Sequence, residues 1–242
     1  MKNQYFGDKR DFFKFDLVLT LIEHLKPKRS FTYIPMLTPP DDECRMTPTG
    51  YSATRNKGLY NFLQECAKFH NRNIINLRFF MRQQGIRYHP YHDAEYFLEQ
   101  ERETYFCSVD ASLLDNSVIM VDPDTGIEAK PETMRGKENE YIRCSDLLHL
   151  QSQMSDSSIL TIFQAYRDKP ENCFLDKGKR IVASGYVNNL LATYYNPTMF
   201  FILSRRNDVA EEARRVIEQH CPEYRILKDE NLNKSQTERE RE

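Results

Sequence analysis

Three carboxylates fall within seven residues in the stretch Asp122-Pro123-Asp124-Thr125-Gly126-Ile127-Glu128, and Lys130 follows closely. Carboxylates so spaced can accept hydrogen bonds from an amine, act as a general base, or bind a divalent metal. Gly126 permits a tight turn that a β-branched residue resists. The same composition also makes an ordinary turn, because Asp, Pro, Thr and Gly are common turn formers. Position favours chemistry: the stretch follows the apolar run from Ser117 to Val121, and uncompensated carboxylates beside a core would otherwise cost stability.

A second dense group lies at the start of the chain. There Asn3-Gln4-Tyr5-Phe6-Gly7-Asp8-Lys9-Arg10-Asp11-Phe12-Phe13-Lys14 interleaves aromatic, amide and charged side chains. Tyr5 and Phe6 are suited to stack on a base or cofactor ring, with Arg10 and Lys14 neutralising phosphate or carboxylate. A packed arm whose aromatics cover the sheet is the equal alternative. His89 and His92 flank Pro90 and precede Asp93, but the proline argues against a regular helix carrying both imidazoles, so a surface turn is preferred to a metal site. Lys177, Lys179 and Arg180 read as a solvated basic face before they read as a phosphate contact. No GxGxxG, P-loop, G-x-S-x-G or HExxH pattern occurs, which removes the usual support for dinucleotide, nucleoside-triphosphatase, lipase and zinc-protease activities.

These groups need elements to position them. Phe12, Phe15, Leu19, Ile22 and Leu25 recur at helical spacing from Asp11 to Lys26, with Asp8 or Asp11 as cap and Pro27 as stop. The run 31–37 predicts a first strand, and its prolines make 38–52 a long loop. Helices are predicted over 58–71, 93–106, 138–153 and 208–220, with 74–88 either helical or extended. Buried strands are predicted over 117–121, ending at Asp122, over 157–163 and over 198–203, and 167–194 is mixed. Strands alternating with helices predict an α/β domain with an open, mostly parallel sheet flanked by helices. It would span 1–227, with a helical insertion around 53–106 and a polar tail over 228–242.

The 242 residues suit one such domain, and 34 basic against 36 acidic side chains (net −2) give no global field announcing a nucleic-acid binder, although a local basic groove is compatible with that balance. Six scattered cysteines without a C-x-x-C pair, and no secretory leader, fit reduced thiols in the cytoplasm. No apolar run is long enough for a membrane span, so no membrane partner is expected.

The order of elements resembles that of the large-subunit ribosomal RNA adenine-N6 methyltransferases over roughly Tyr5 to Cys221. Phe6-Gly7-Asp8, Asp11 and Lys14 are similar in place to that family's Ala-Gly-Asn, Ala-Asp and Lys segment. Val121-Asp122-Pro123-Asp124-Thr125 is similar in place to its strand ending in Asp-Pro-Pro-Tyr, with Asp124 and Thr125 standing for the second Pro and the stacking aromatic. No glycine occurs in Met36-Leu37-Thr38-Pro39-Pro40-Asp41-Asp42, where the family has its donor loop. The chain resembles still more a group of bacterial proteins with a Q-Y-F-G-D start and a D-P-D-x-G-I-E loop, a similarity that implies a shared site and no particular activity. The resemblance to the methyltransferases implies a Rossmann-like methyltransferase fold with S-adenosylmethionine as cofactor. Asp122 and the Pro123 carbonyl would then face the amine of a flipped base in RNA or DNA.

Three functions follow. The first is a methyltransferase-fold enzyme acting on nucleic acid, with Asp122 and Asp124 at the acceptor amine, and Tyr5, Phe6, Gly7, Asp8 and Lys14 closing a pocket that Pro123 and Gly126 shape. The second is a nuclease or phosphohydrolase in which Asp122, Asp124 and Glu128 hold magnesium (Mg2+) and Lys130 steadies the attacking water. The third is a protein that binds a nucleotide or partner without catalysis.

Overall fold

The computed structural model describes residues 1–41, 56–69, 71–185, 189–195 and 197–228. Its first helix, α1 (Lys9–His24), begins where the Asp8 side chain accepts from the backbone of Arg10 and Asp11 at 2.8 and 3.0 Å, satisfying N–H groups that no earlier turn can reach. Then come β1 (Ser30–Pro35), α2 (Lys57–Lys68), α3 (Leu77–Gln83), β2 (Tyr88–Pro90), α4 (Arg102–Cys107) and β3 (Ser117–Asp122). The short pair β4 (Gly126–Ile127) and β5 (Tyr141–Ile142) brackets α5 (Pro131–Met134), and α6 (Cys144–Gln153) leads into β6 (Ile159–Ala165). The chain closes with α7 (Pro170–Ala183), β7 (Leu190–Tyr195), β8 (Thr198–Leu203), α8 (Asn207–His220) and β9 (Arg225–Leu227).

Seven strands form one sheet in the order β2-β1-β3-β6-β8-β7-β9. The pairs β2-β1, β1-β3 and β3-β6 are parallel, whereas β8 runs against both β6 and β7, and β9 against β7. Five strands therefore point one way, and the α/β class with a Rossmann-like, mostly parallel sheet flanked by helices holds. β1, β3 and β8 are buried along their whole length and β6 in all but its last residue, because both faces of the sheet are covered and no strand alternates buried with exposed residues. α1, α2, α3 and α8 pack on one face against Phe31, Tyr33, Val118 and Phe200. α4, α6 and α7 pack on the other against Ile34, Ile119, Val121 and Phe201. From β1 the chain moves first to one side, to β2, and then to the other, to β3, so the crevice beyond Pro35 and Asp122 is a topological switch point.

Several expected boundaries shift. The helix expected over 93–106 is confined to Arg102–Cys107 after a 3-10 turn, because tertiary bonds claim the residues before it. Asp93 is 1% exposed and takes a fork of bonds from Arg78, and the Phe97 N–H donates to the Leu37 carbonyl at 2.7 Å. The helix expected from 138 begins at Cys144, after a 3-10 turn and β5, where the Asp146 carboxylate accepts from the Arg143 N–H at 2.9 Å. The segment 74–88 resolves into a 3-10 turn and α3, with β2 beginning at Tyr88. Most of the loop expected over 38–52, the first residues of the insertion from 53, and the tail after Lys228 lie outside the described residues. No helix among the described residues is long and apolar enough to cross a membrane.

Candidate functional site

Tyr33, Asp122 and Phe163 lie on adjacent parallel strands near their carboxyl ends, where Asp122 and Phe163 meet Lys14 of α1 and Tyr33 joins them through Asp122. Asp11 and Lys14, three residues apart on α1, share one turn, so both reach the sheet end together. The Lys14 ammonium donates to Asp122 Oδ2 at 3.0 Å and to Asp11 Oδ1 at 3.1 Å, and sits 4.2 Å from the centre of the Phe163 ring. The Tyr33 hydroxyl donates to the same Asp122 Oδ2 at 2.6 Å. Asp122 Oδ1 lies 2.9 Å from the ammonium as an ion contact and receives no hydrogen bond. Asp122, Asp11 and Lys14 are 0, 2 and 4% exposed.

Burial on this scale penalises charge, and the partners decide the outcome. Desolvation pushes the Asp11 acid up to about 7, against the opposing pull of Lys14. Desolvation works against the Lys14 cation too, but Asp122 and Asp11 outweigh it and hold the ammonium above its ordinary range. Burial, and then the Asp122 charge, raise the Tyr33 phenol well above its usual value. The cluster is thus one carboxylate, one ammonium, one neutral phenol and an acid that titrates near neutrality.

The Asp-Pro-Asp turn aims its second carboxylate differently. Asp124 Oδ2 accepts from the Lys2 ammonium at 2.7 Å, and Oδ1 lies 3.4 Å from the Met1 α-amino group. Burial works against ionised Asp124, yet these two amines outweigh it and lower its acid below the usual carboxylate range. Met1 fills the crevice over the network: its amino group donates to the Met36 carbonyl at 3.0 Å and its sulfur lies 3.6 Å from the Lys14 ammonium. Thr38 N–H closes the same crevice by donating to the Met1 carbonyl at 2.8 Å. The crevice therefore takes a methionine's amino group, which burial pushes below its usual value, and its thioether side by side near Asp122 and Asp124.

Gly126 adopts φ +141°, and a Cβ there would come within 2.4 Å of the Gln164 side chain. That approach lets Gln164 accept from Ile127 N–H at 2.8 Å, docking β4 against the end of β6. Gly7, at φ +91°, lets the α2 backbone come so near that a Cβ would lie 2.8 Å from the Leu63 carbonyl. Its own N–H donates to Asp11 Oδ2 at 3.0 Å.

The structure brings Asp122, Lys14, Gly7 and Asp8 to one place, together with Pro123 and Asp124, and separates others. Glu128 lies beyond β4, its carboxylate bonded to the Cys144 thiol, which burial and this neighbour push up to about 12. Lys130 is exposed at the start of α5. Among the described residues no group of three or more His, Cys, Asp or Glu is placed to hold a metal. Phe6 is no stacking platform: it is 0% exposed, with its ring edge-on to Phe15 and Phe62. Tyr5 donates to Asp41 at 2.7 Å from the rim. His89 meets Arg87 and His92 meets Glu95, so the two imidazoles do not converge. Lys177 donates to the Glu128 carbonyl, and Arg180 pairs with Asp176. Tyr33, Met1 and Lys2 escape sequence reasoning, because nothing local distinguishes a strand tyrosine or two leading residues as members of a buried network.

Comparison with known proteins returns no matching family model and no matching curated protein. Among solved structures, the chain is similar to human methyltransferase-like protein 13 in complex with SAH, with a TM-score of 0.39 and 12% identity over 91% of this chain and 96% of that one. Similarity this distant carries nothing about substrate or cofactor.

Proposed function

We propose that the switch-point crevice is the active site of an S-adenosylmethionine-dependent methyltransferase acting on an amine of a nucleic-acid base. One observation carries the reading: the crevice holds a methionine, its amino group donating to the Met36 carbonyl and 3.4 Å from Asp124. S-adenosylmethionine carries an amino group in the same position of its methionine half, so the Met36 carbonyl and Asp124 are the groups to hold that end, while its sulfonium must sit away from the Lys14 ammonium, since two cations repel. When bound it supplies an electrophilic methyl group. The fit stops at that half, since Met36, Leu37 and Thr38 are buried and without glycine.

On the acceptor side, Asp122 Oδ1 is a buried carboxylate oxygen that has the Lys14 ammonium 2.9 Å away as an ion contact but takes no hydrogen bond, so it keeps lone-pair capacity for an amine N–H. Lys14 grips both carboxylate oxygens and Tyr33 donates to Oδ2, so an incoming amine meets an oriented acceptor. Lys2 already shows that an ammonium is accepted by Asp124. Both ligands must displace Met1 and Lys2 from the crevice.

A second reading, binding without transfer, is favoured by the complete burial of Asp122. Calorimetry with S-adenosylmethionine and with S-adenosylhomocysteine, for wild type and Asp124→Asn, separates the readings alongside methyl incorporation into mixed RNA and DNA. Micromolar binding, about −8 kcal/mol, that is lost in the variant and accompanied by incorporation is the expected result. Binding without incorporation leaves the second reading. No binding by wild type, or by a variant carrying Lys2→Ala to loosen the cover, sinks the donor site.

A further inference from the structure

The surface charge of this molecule is unevenly spread. Residues 57–89 carry six cations, Lys57, Lys68, Arg72, Arg78, Arg82 and Arg87, against the single carboxylate Glu65, in a chain whose net charge is −2. Arg78 is committed to Asp93. The other five form no ion pair among the described residues, unlike Arg180, which pairs with Asp176, Arg206, which pairs with Asp208, and Arg214, which pairs with Glu211 and Glu218. Unpaired like charges crowded together repel one another, so the arrangement costs the free protein something that a polyanion would relieve.

The same surface exposes aromatic rings. Phe69 and Phe79 are 70% and 69% exposed, far beyond any other phenylalanine described as exposed or buried. Phe79 and Arg82, three apart on α3, share a face, and Lys68 lies 5.6 Å from the Phe69 ring centre. Phe62 of α2 stacks on Phe80 of α3 at 4.8 Å, which joins the two helices into one body. That body reaches the candidate site: Arg72 donates to the Phe6 carbonyl at 3.1 Å, and Ile74 N–H donates to Asn3 at 3.1 Å.

We infer that the outer face of α2 and α3, from the lip of the Asp122 crevice towards β2, is a docking surface for single-stranded nucleic acid. Cations that track a phosphate backbone, interleaved with exposed rings on which unpaired bases stack, are the chemistry such strands require. A duplex would use the cations and leave the rings idle. An acidic polypeptide would likewise use the charge alone. The inference deepens the proposed nucleic-acid acceptor and rests on that reading for its purpose, but binding is measured without donor or turnover, so either can fail alone.

The test is fluorescence anisotropy with a labelled single-stranded RNA, the same sequence as a duplex, and labelled polyglutamate, across a salt series. Wild type is expected to prefer the single strand, with affinity falling steeply as salt rises. Arg82→Glu with Arg87→Glu should weaken binding at least about tenfold and flatten the salt slope by about 1.4, near 0.7 for each phosphate no longer neutralised. Phe79→Ala should weaken it about fivefold to a hundredfold while leaving the salt slope unchanged. Arg215→Glu on α8 should change little. These residues are exposed, so circular dichroism should show every variant folded. No RNA binding by wild type, or binding indifferent to the α3 variants, overturns the inference. Equal affinity for the duplex, or for polyglutamate, overturns it in favour of a general polyanion or acidic-protein surface.

Discussion

Asp122 and Lys14 illustrate how a buried pair is held by what would happen without it. Removing one partner strands the other charge in the core, so Asp122→Asn should destabilise the fold by about 3–5 kcal/mol, and Tyr33→Phe by about 1 kcal/mol, as read from urea midpoints. Asp11 supplies a pH signature. Its acid rises from an ordinary value of 3.8 to about 7 in the fold, so its contribution is full below about 3.8, declines as pH rises and is gone above about 7. Asp11→Asn mimics the protonated acid at every pH. Wild type should therefore lose stability relative to the variant between pH 4 and 7, by on the order of 1 kcal/mol or more at about 1.4 kcal/mol per unit, and the difference should level off above. A constant difference across that range would remove Asp11 from the titrating network.

At the scale of elements, the β3–β4 turn depends on one glycine and one glutamine. Gly126→Ala combines a strained φ with a collision against Gln164, and should cost roughly 1–3 kcal/mol for the backbone alone. Adding Gln164→Ala should relieve the collision while orphaning the Ile127 N–H, so thermal denaturation of the two single variants and the double variant should show clear non-additivity. These elements also divide what sequence makes legible from what it hides. Mostly apolar runs announce β1, β3, β6 and β8, since strands covered on both faces take few polar side chains, and those few, such as Asp122 and Gln164, are tied into hydrogen bonds. β7 and β9 are less plain: Tyr194 and Tyr195 are half-buried at the open end of the sheet, and β9 has three residues, so neither carries a strong pattern. The charged, evenly spaced stretch 93–106 reads as a helix, but Asp93 and Phe97 find partners distant in sequence, and those bonds override local preference.

For the whole molecule, Asp122, Asp124 and Gly126 are legible because residue type and position after a buried strand coincide, and Lys14 because it closes a dense aromatic and charged segment at the start of the first helix. Spacing alone groups Glu128 with them, and β4 turns it away. The basic face of α2 and α3 is hidden by an overall charge near zero, since acidic residues elsewhere cancel it. One architectural detail bears on a different property. The sheet ends at β2 and β9, each three residues long, with Pro90 at the end of one and Arg225 at the start of the other. A proline cannot donate to a further strand, and a charge resists a neighbouring copy, so the margins offer little template for edge-to-edge growth. A protein whose central strands are as apolar as these is thereby protected from amyloid-like self-association at both borders of its sheet.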